Sequence, residues 1–283
     1  MGDDLKGNQE SAVPLRESLD ADRESLQSAH MLRPELEPLP ERMKDLPVDA
    51  RGYAVPWFVA WIDGPDGKVP EFRAMDGQKL TRAIRERLCW VCGQRLGSWL
   101  CFVIGPMCAI NRISSEPPSH LECAQWSARN CPFLSKPQMI RRETGPGAEP
   151  ARIESARANV AGVMIERNPG VALLWICRDY KLVPDGKGGR LFSVGDPDRV
   201  EWWALGRPAT RAEVEHSVAT GLPALIEVAR TERGGLEELA RRQVEVEALY
   251  PTERTADTAL SPATMGAGEQ AESLQVNPKK DSV

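Results

Sequence analysis

The chain has 283 residues, a formal net charge of -5 and 41% apolar residues, enough for one large or two small domains with a buried core. No apolar run approaches the roughly 18 residues of a membrane span, and the first 30 residues are polar and acidic, so neither a transmembrane anchor nor a signal peptide is expected. Seven cysteines, an odd number gathered mostly in one stretch, fit metal ligation in a reducing cytosol better than a disulfide framework, and a cytoplasmic protein without a membrane partner is expected.

Residues 1–48 are rich in Glu, Asp, Ser and Pro, with few apolar positions. They read as a disordered acidic arm, with a polar helix near 14–29 as its most structured part. The character changes at Tyr53. The run from Tyr53 to Ile62 reads as a strand, Asp63-Gly64-Pro65-Asp66-Gly67 as a hairpin turn, and Val69 to Met75 as the returning strand. Asp76 is a candidate N-cap for a helix reaching Leu88, on which Leu80, Ile84 and Leu88 share a face. Trp57, Trp61, Trp90 and Trp99 read as packing around a small metal centre rather than as a base-stacking surface.

That helix delivers the chain to Cys89-Trp90-Val91-Cys92-Gly93. After 27 intervening residues comes His120-Leu121-Glu122-Cys123. Two thiols separated by two residues can face one point if the backbone turns sharply, and Gly93 supplies the left-handed position such a knuckle needs. Ser115-Glu116-Pro117-Pro118-Ser119 reads as a rigid approach to a helix with Ser119 as its N-cap. That helix places His120 and Cys123 on one face of its first turn. Cys89, Cys92, His120 and Cys123 together make a Cys3His set suited to tetrahedral Zn2+. Cys108 and Cys131 lie near enough in sequence to replace one of these ligands, and an iron–sulfur cluster on four of the cysteines is the alternative occupant. Between the pairs, residues 98–104 read as a buried strand stopped by Gly105-Pro106, with Cys101 as a core thiol. Knuckle, strand and ligand-bearing helix in this order resemble a treble-clef zinc finger, a resemblance that covers about 40 residues and carries no function of its own.

Cys131-Pro132-Phe133-Leu134 is expected to end the second helix, and 136–152, with Arg141, Arg142 and Gly145-Pro146-Gly147, reads as a linker. Beyond it, 153–250 is expected to form an α+β accessory domain. Strands are expected at Val160–Ile165, Val171–Tyr180 and Arg190–Val194, with turns at Asn168-Pro169-Gly170 and Asp185–Gly189. The glycines at 186, 188 and 189 sit in a hairpin and lack a phosphate-loop pattern. Trp202, Trp203 and Arg207 read as a presented surface. Thr210-Arg-Ala-Glu213 is a capping box opening a helix, Gly221-Leu222-Pro223 breaks it and starts another, and a third runs from about Gly235 to Leu249. Arg207 and Arg211 either hold an anion at the helix start or are simply solvated. His216 reads as an exposed mid-helix residue. From 251 onward the composition reads as a disordered tail.

Two runs carry a wider resemblance: C-W-V-C-G with G-P-M-C-A-I-N-R, P-P-S-H-L-E-C-A and C-P-F-L, and W-W-A-L-G-R-P-A-T-R-A-E-V with S-V-A-T-G-L-P-A-L. Together they resemble uncharacterised proteins of bacteriophages, prophages and bacterial genomes. This resemblance covers most of 51–250, implies a phage or prophage setting, and transfers no catalytic residue.

The expected fold class is therefore α+β: a small zinc-stabilised, treble-clef-like module over 49–135, then strands and helices, between disordered termini. Residues 51–142 hold 13 Lys/Arg and 7 Asp/Glu, a net of +6, whereas the remainder holds 23 and 34, a net of -11. A basic metal module suggests a binding protein whose partner is nucleic acid or another protein. The alternative is a zinc-dependent enzyme. His120-x-Glu122 matches half of a deaminase motif, but the C-x2-C precedes it instead of following. An HNH-like nuclease needs a second histidine in the module, which offers only His120. No catalytic residue is assigned.

Overall fold

The structure, a computed structural model, describes residues 31–65, 67–136, 168–186 and 188–252. Three antiparallel sheets and the helices between them make an α+β fold, as expected. Strands β1 (Val59–Gly64) and β2 (Gly67–Met75) form the expected hairpin, with Trp61 opposite Pro70. Helix α1 (Gly77–Glu86) starts as read: the Asp76 carboxylate accepts from the backbone N–H of Gln78 and Lys79 at 2.8 and 3.1 Å.

The central sheet takes β3 (Leu100–Ile104), β5 (Ala172–Cys177), β8 (Pro197–Ala204) and β9 (Arg207–Pro208) in that order. All six residues of β5 are buried, because both faces of the sheet are covered. On one face Cys101, Leu174 and Ile176 pack on Ala124 and Ala128 of α3 (Leu121–Asn130). On the other, Phe102, Leu173, Trp175 and Trp202 join the main core. That core also receives α2 (Pro106–Asn111), α5 (Arg211–Ala229), α6 (Gly235–Glu247) and a second sheet. The second sheet is formed by β4 (Ile113–Ser114), β7 (Arg190–Val194) and β6 (Tyr180–Pro184) in that order. A short helix α4 (Pro132–Ser135) follows α3 directly.

Several expectations change. Residues 137–152 of the expected linker, the strand expected at 160–165, the first 30 residues and all beyond 252 lie outside the described residues. On either side of the linker, however, the chain shares one sheet: Leu100 of β3 pairs with Cys177 of β5, and Ile104 with Leu173. The metal module and the accessory region are therefore not separate cores.

Residues 31–48 are not a disordered arm. Met43 is 1% exposed in the core. The Glu37 backbone N–H donates to Asn130 Oδ1 at 2.9 Å, its carbonyl accepts from Trp126 Nε1 at 3.1 Å, and its carboxylate meets Arg129 at 2.8 Å. A segment this polar docks because four of its apolar residues, Leu32, Leu39, Met43 and Leu46, reach the core.

The single strand expected over 171–180 is two, β5 and β6, which lie in different sheets. Gly105-Pro106 ends β3 but also opens α2, since proline suits the first helical turn. Pro223 does not break α5. The helix buries a stripe of Val214, Ser217, Gly221, Leu225 and Ala229, and that burial outweighs the one backbone hydrogen bond proline removes. No helix among the described residues is long and apolar enough to cross a membrane.

Candidate metal centre

The knuckle is built by backbone bonds on both sides of Gly93. The Cys89 N–H donates to Gln94 O at 2.7 Å and the Gly93 N–H to Cys89 O at 2.8 Å, closing a tight loop. Gly93 has φ +72°, and a Cβ there would come within 2.6 Å of the Trp57 ring. Glycine is thus required twice, for the left-handed turn and for the indole lying against it. The Trp57 backbone N–H donates to Val91 O at 2.7 Å, tying that residue to the knuckle. Beneath it Trp90 is buried, stacked on Phe58 with ring centroids 5.0 Å apart.

The second ligand pair arrives on α3. His120, not Ser119, occupies the N-cap position, with extended backbone and no capping side-chain bond. Ser119, one residue before the cap position, pairs through its backbone with Cys101, at 2.7 and 3.0 Å. Cys123 then lies in the first turn, fully buried.

The ligand atoms of Cys89, Cys92, His120 and Cys123 all lie within 4.8 Å of one another. His120 Nδ1 is 3.4 Å from Cys92 Sγ and 4.0 Å from Cys123 Sγ. Sulfur and nitrogen ligands about 2.0–2.3 Å from a tetrahedral ion sit about 3.6–3.8 Å from each other, so the spacing suits one four-coordinate ion. Cys108 is exposed on α2 and Cys131 ends α3; neither belongs to the group.

The surroundings tune the donors. The backbone N–H groups of Cys92 and His120 both point at Cys89 Sγ, at 3.5 and 3.3 Å. Burial alone would push the Cys89 thiol up, but hydrogen bonds from Cys123, Cys92 and His120 and from the Cys92 backbone reverse this and hold it well below the usual thiol range. Its hydrogen bonds with Cys89 and Cys92 raise His120 to about 10. Cys123 is driven far up by its contact with Cys89, then Cys92, so it keeps its proton beside an ionised neighbour. Elsewhere burial has the ordinary effect, pushing the Cys177 thiol up to about 11 and raising Cys101. Of these thiols, Cys89 alone is held below the usual range.

His120 Nε2 lies 3.1 Å from the carbonyl of Arg95. With Nε2–H donating there, Nδ1 faces the sulfurs, so a metal that displaced the Nδ1 proton would find the ring already oriented. Arg95 contributes through its backbone, so no side-chain pattern could have revealed it. Glu122 is held by Arg42 Nε at 2.6 Å, a contact across 80 residues that spacing could not disclose.

The other sites read from sequence resolve as structural. Arg207 makes a two-pronged pair with Glu213 at 3.0 and 2.8 Å, and Arg211 bonds Glu215 and Glu247, so carboxylates supply the anion. Trp202 is not presented: it is 5% exposed and its Nε1 donates to Leu249 O at 2.9 Å. His216 is exposed on α5. No protein-family model, curated protein or solved structure matches this chain.

Proposed function

We propose that a zinc ion held by Cys89, Cys92, His120 and Cys123 stabilises a treble-clef-like module, and that this module binds nucleic acid. The closed donor set carries the reading. Three sulfurs and one oriented nitrogen fill a tetrahedron, leaving no position for a reactive water, which is the mark of a structural zinc site. The order of knuckle, β3 and ligand-bearing α3 supports the treble-clef-like description.

The partner class follows from charge. Residues 77–129 carry seven Lys/Arg and three Asp/Glu, a net of +4. Most of these arginines pair with carboxylates, as Arg82, Arg85, Arg112 and Arg129 do. Arg87 and Arg95, at the two ends of the knuckle, are exposed and pair with no carboxylate among the described residues. Unpaired arginines beside a rigid centre suit phosphate.

An HNH-like nuclease or a deaminase-like hydrolase finds less support. Both nitrogens of His120 are engaged and Glu122 is tied to Arg42, so neither stands ready as a general base. A phage or prophage setting is carried by the sequence resemblance.

The test is titration of a labelled oligonucleotide at several salt concentrations. Binding that weakens as salt rises, and weakens again in Arg87→Glu and Arg95→Glu, supports the reading. No binding at low salt, to single strand or duplex, would remove nucleic acid as the partner.

A further inference from the structure

The three sulfur-bearing residues of the metal centre differ in access. Cys89 and Cys123 are fully buried. Cys92 is half-buried and lines a cleft of about 290 Å3, to which the exposed Asp45 and Gln94 also contribute. We propose that Cys92 is an oxidative modification site, at which a hydroperoxide entering by this cleft starts a disulfide with Cys89 and releases the zinc; the proposal rests on the zinc reading above and adds its regulation.

The chemistry follows from access and neighbourhood. Hydrogen peroxide is little larger than water, which takes roughly 30 Å3 in the liquid, so the cleft admits it freely. Ligation keeps a cysteine sulfur ionised, and the thiolate is the form that attacks a peroxide. The Cys92 sulfur bonds one peroxide oxygen as the O–O bond breaks and hydroxide leaves. The sulfur is thereby oxidised by two electrons to a sulfenic acid, and the peroxide is reduced. The Cys89 thiolate then attacks the Cys92 sulfur: the S–S bond forms, the S–O bond breaks, and a second hydroxide leaves. Both hydroxides take protons from solvent.

Cys89 is placed to answer. It lies in the same tight loop as Cys92, and its Sγ faces the Cys92 backbone N–H at 3.5 Å. The ligand atoms of the cluster lie within 4.8 Å of one another, and a bridge needs its sulfurs at about 2.0 Å. A disulfide sulfur is no longer a thiolate donor, so the bridge withdraws two ligands and leaves His120 and Cys123 to hold the ion.

The remaining thiols lack one condition or the other. Cys101 and Cys177 are buried in the central sheet. Cys108 is exposed and Cys131 half-buried, but neither belongs to the cluster, so their oxidation leaves the ligands untouched.

The test is titration of the full-length, zinc-loaded chain with hydrogen peroxide. A chromogenic chelator follows released zinc, and mass spectrometry of a digest, made after free thiols are alkylated, maps the bridges. Zinc and the Cys89–Cys92 bridge are expected to appear together in equimolar amounts, before Cys108 is oxidised. Dithiothreitol with added zinc should then restore the starting metal content. Cys92→Ser removes a ligand, so the deciding variant is Cys108→Ser, which keeps the whole ligand set and should release zinc at the wild-type rate. Zinc retained while Cys108 is oxidised, a first bridge that omits Cys92, or release abolished in Cys108→Ser overturns the proposal and leaves the zinc reading standing. A folded wild type that carries no zinc overturns both.

Discussion

The imidazole of His120 stands between the sulfur cluster and the backbone of Arg95, its Nδ1 toward Cys92 and its Nε2 3.1 Å from the Arg95 carbonyl. One hydrogen bond to a backbone oxygen, three residues past Cys92 and 25 residues from His120 in sequence, turns Nδ1 toward the sulfurs. His120→Ala is expected to weaken metal affinity by more than the roughly 10–100-fold that loss of an outer partner costs, whereas His120→Cys restores a four-ligand set. Competition with a chromogenic chelator measures both. Equal affinities for wild type and His120→Ala would place the metal on other ligands.

Gly93 is a sharp test of the knuckle. At φ +72° a Cβ is strained by its own backbone, and it would also be driven into the Trp57 ring. Gly93→Ala is expected to cost about 2–5 kcal/mol, the sum of a left-handed backbone penalty and overpacking. Urea denaturation of the metal-loaded protein reads it directly. A loss under 0.5 kcal/mol, the ordinary range for a surface change, would show that the indole does not close on the knuckle.

The N-terminal segment gives a contrasting prediction. Because Met43 is buried in the core, Met43→Ala is expected to destabilise by about 2–5 kcal/mol. Were 31–48 an unattached arm, the substitution would be silent in the same denaturation experiment.

The capping box at α5 sets a pH dependence. The Arg207 guanidinium, with Thr210, holds the Glu213 carboxyl down at about 2 against an ordinary value of 4.5. The stabilisation from this pairing is complete above pH 4.5 and is lost as pH falls through about 2. Glu213→Ala should therefore lower stability by about 1 kcal/mol at pH 7, the usual worth of a cap, and the gap from wild type should shrink from pH 4.5 downward. A gap that stays constant with pH would mean that Glu213 acts by packing and not by charge.

What could be read from sequence was local. The C-x2-C-G turn, the Asp76 cap, the Thr210/Glu213 box and the turns after β1 and β6 each lie within a few residues and form as read, and His120 and Cys123 do converge, on a helix that starts one residue later than read. What escaped was long-range. The pairing of Leu100 with Cys177 joins strands more than 70 residues apart, and no residue in either announces its partner. The docking of 31–48 was hidden because average composition weighs every residue alike, whereas burial depends on where four apolar side chains land. Pro223 misled for a related reason: its local penalty is real, but a buried helix face exceeds it.

The most direct measurement is the metal content, by mass spectrometry, of protein purified without added metal, for wild type and for Cys89→Ser, Cys108→Ser, Cys123→Ser and Cys131→Ser. One zinc per chain is expected in the wild type, retained by Cys108→Ser and Cys131→Ser and lost from Cys89→Ser and Cys123→Ser. A folded wild type that carries no metal, or zinc that departs with Cys108 or Cys131 and stays without Cys89, would contradict the proposed centre.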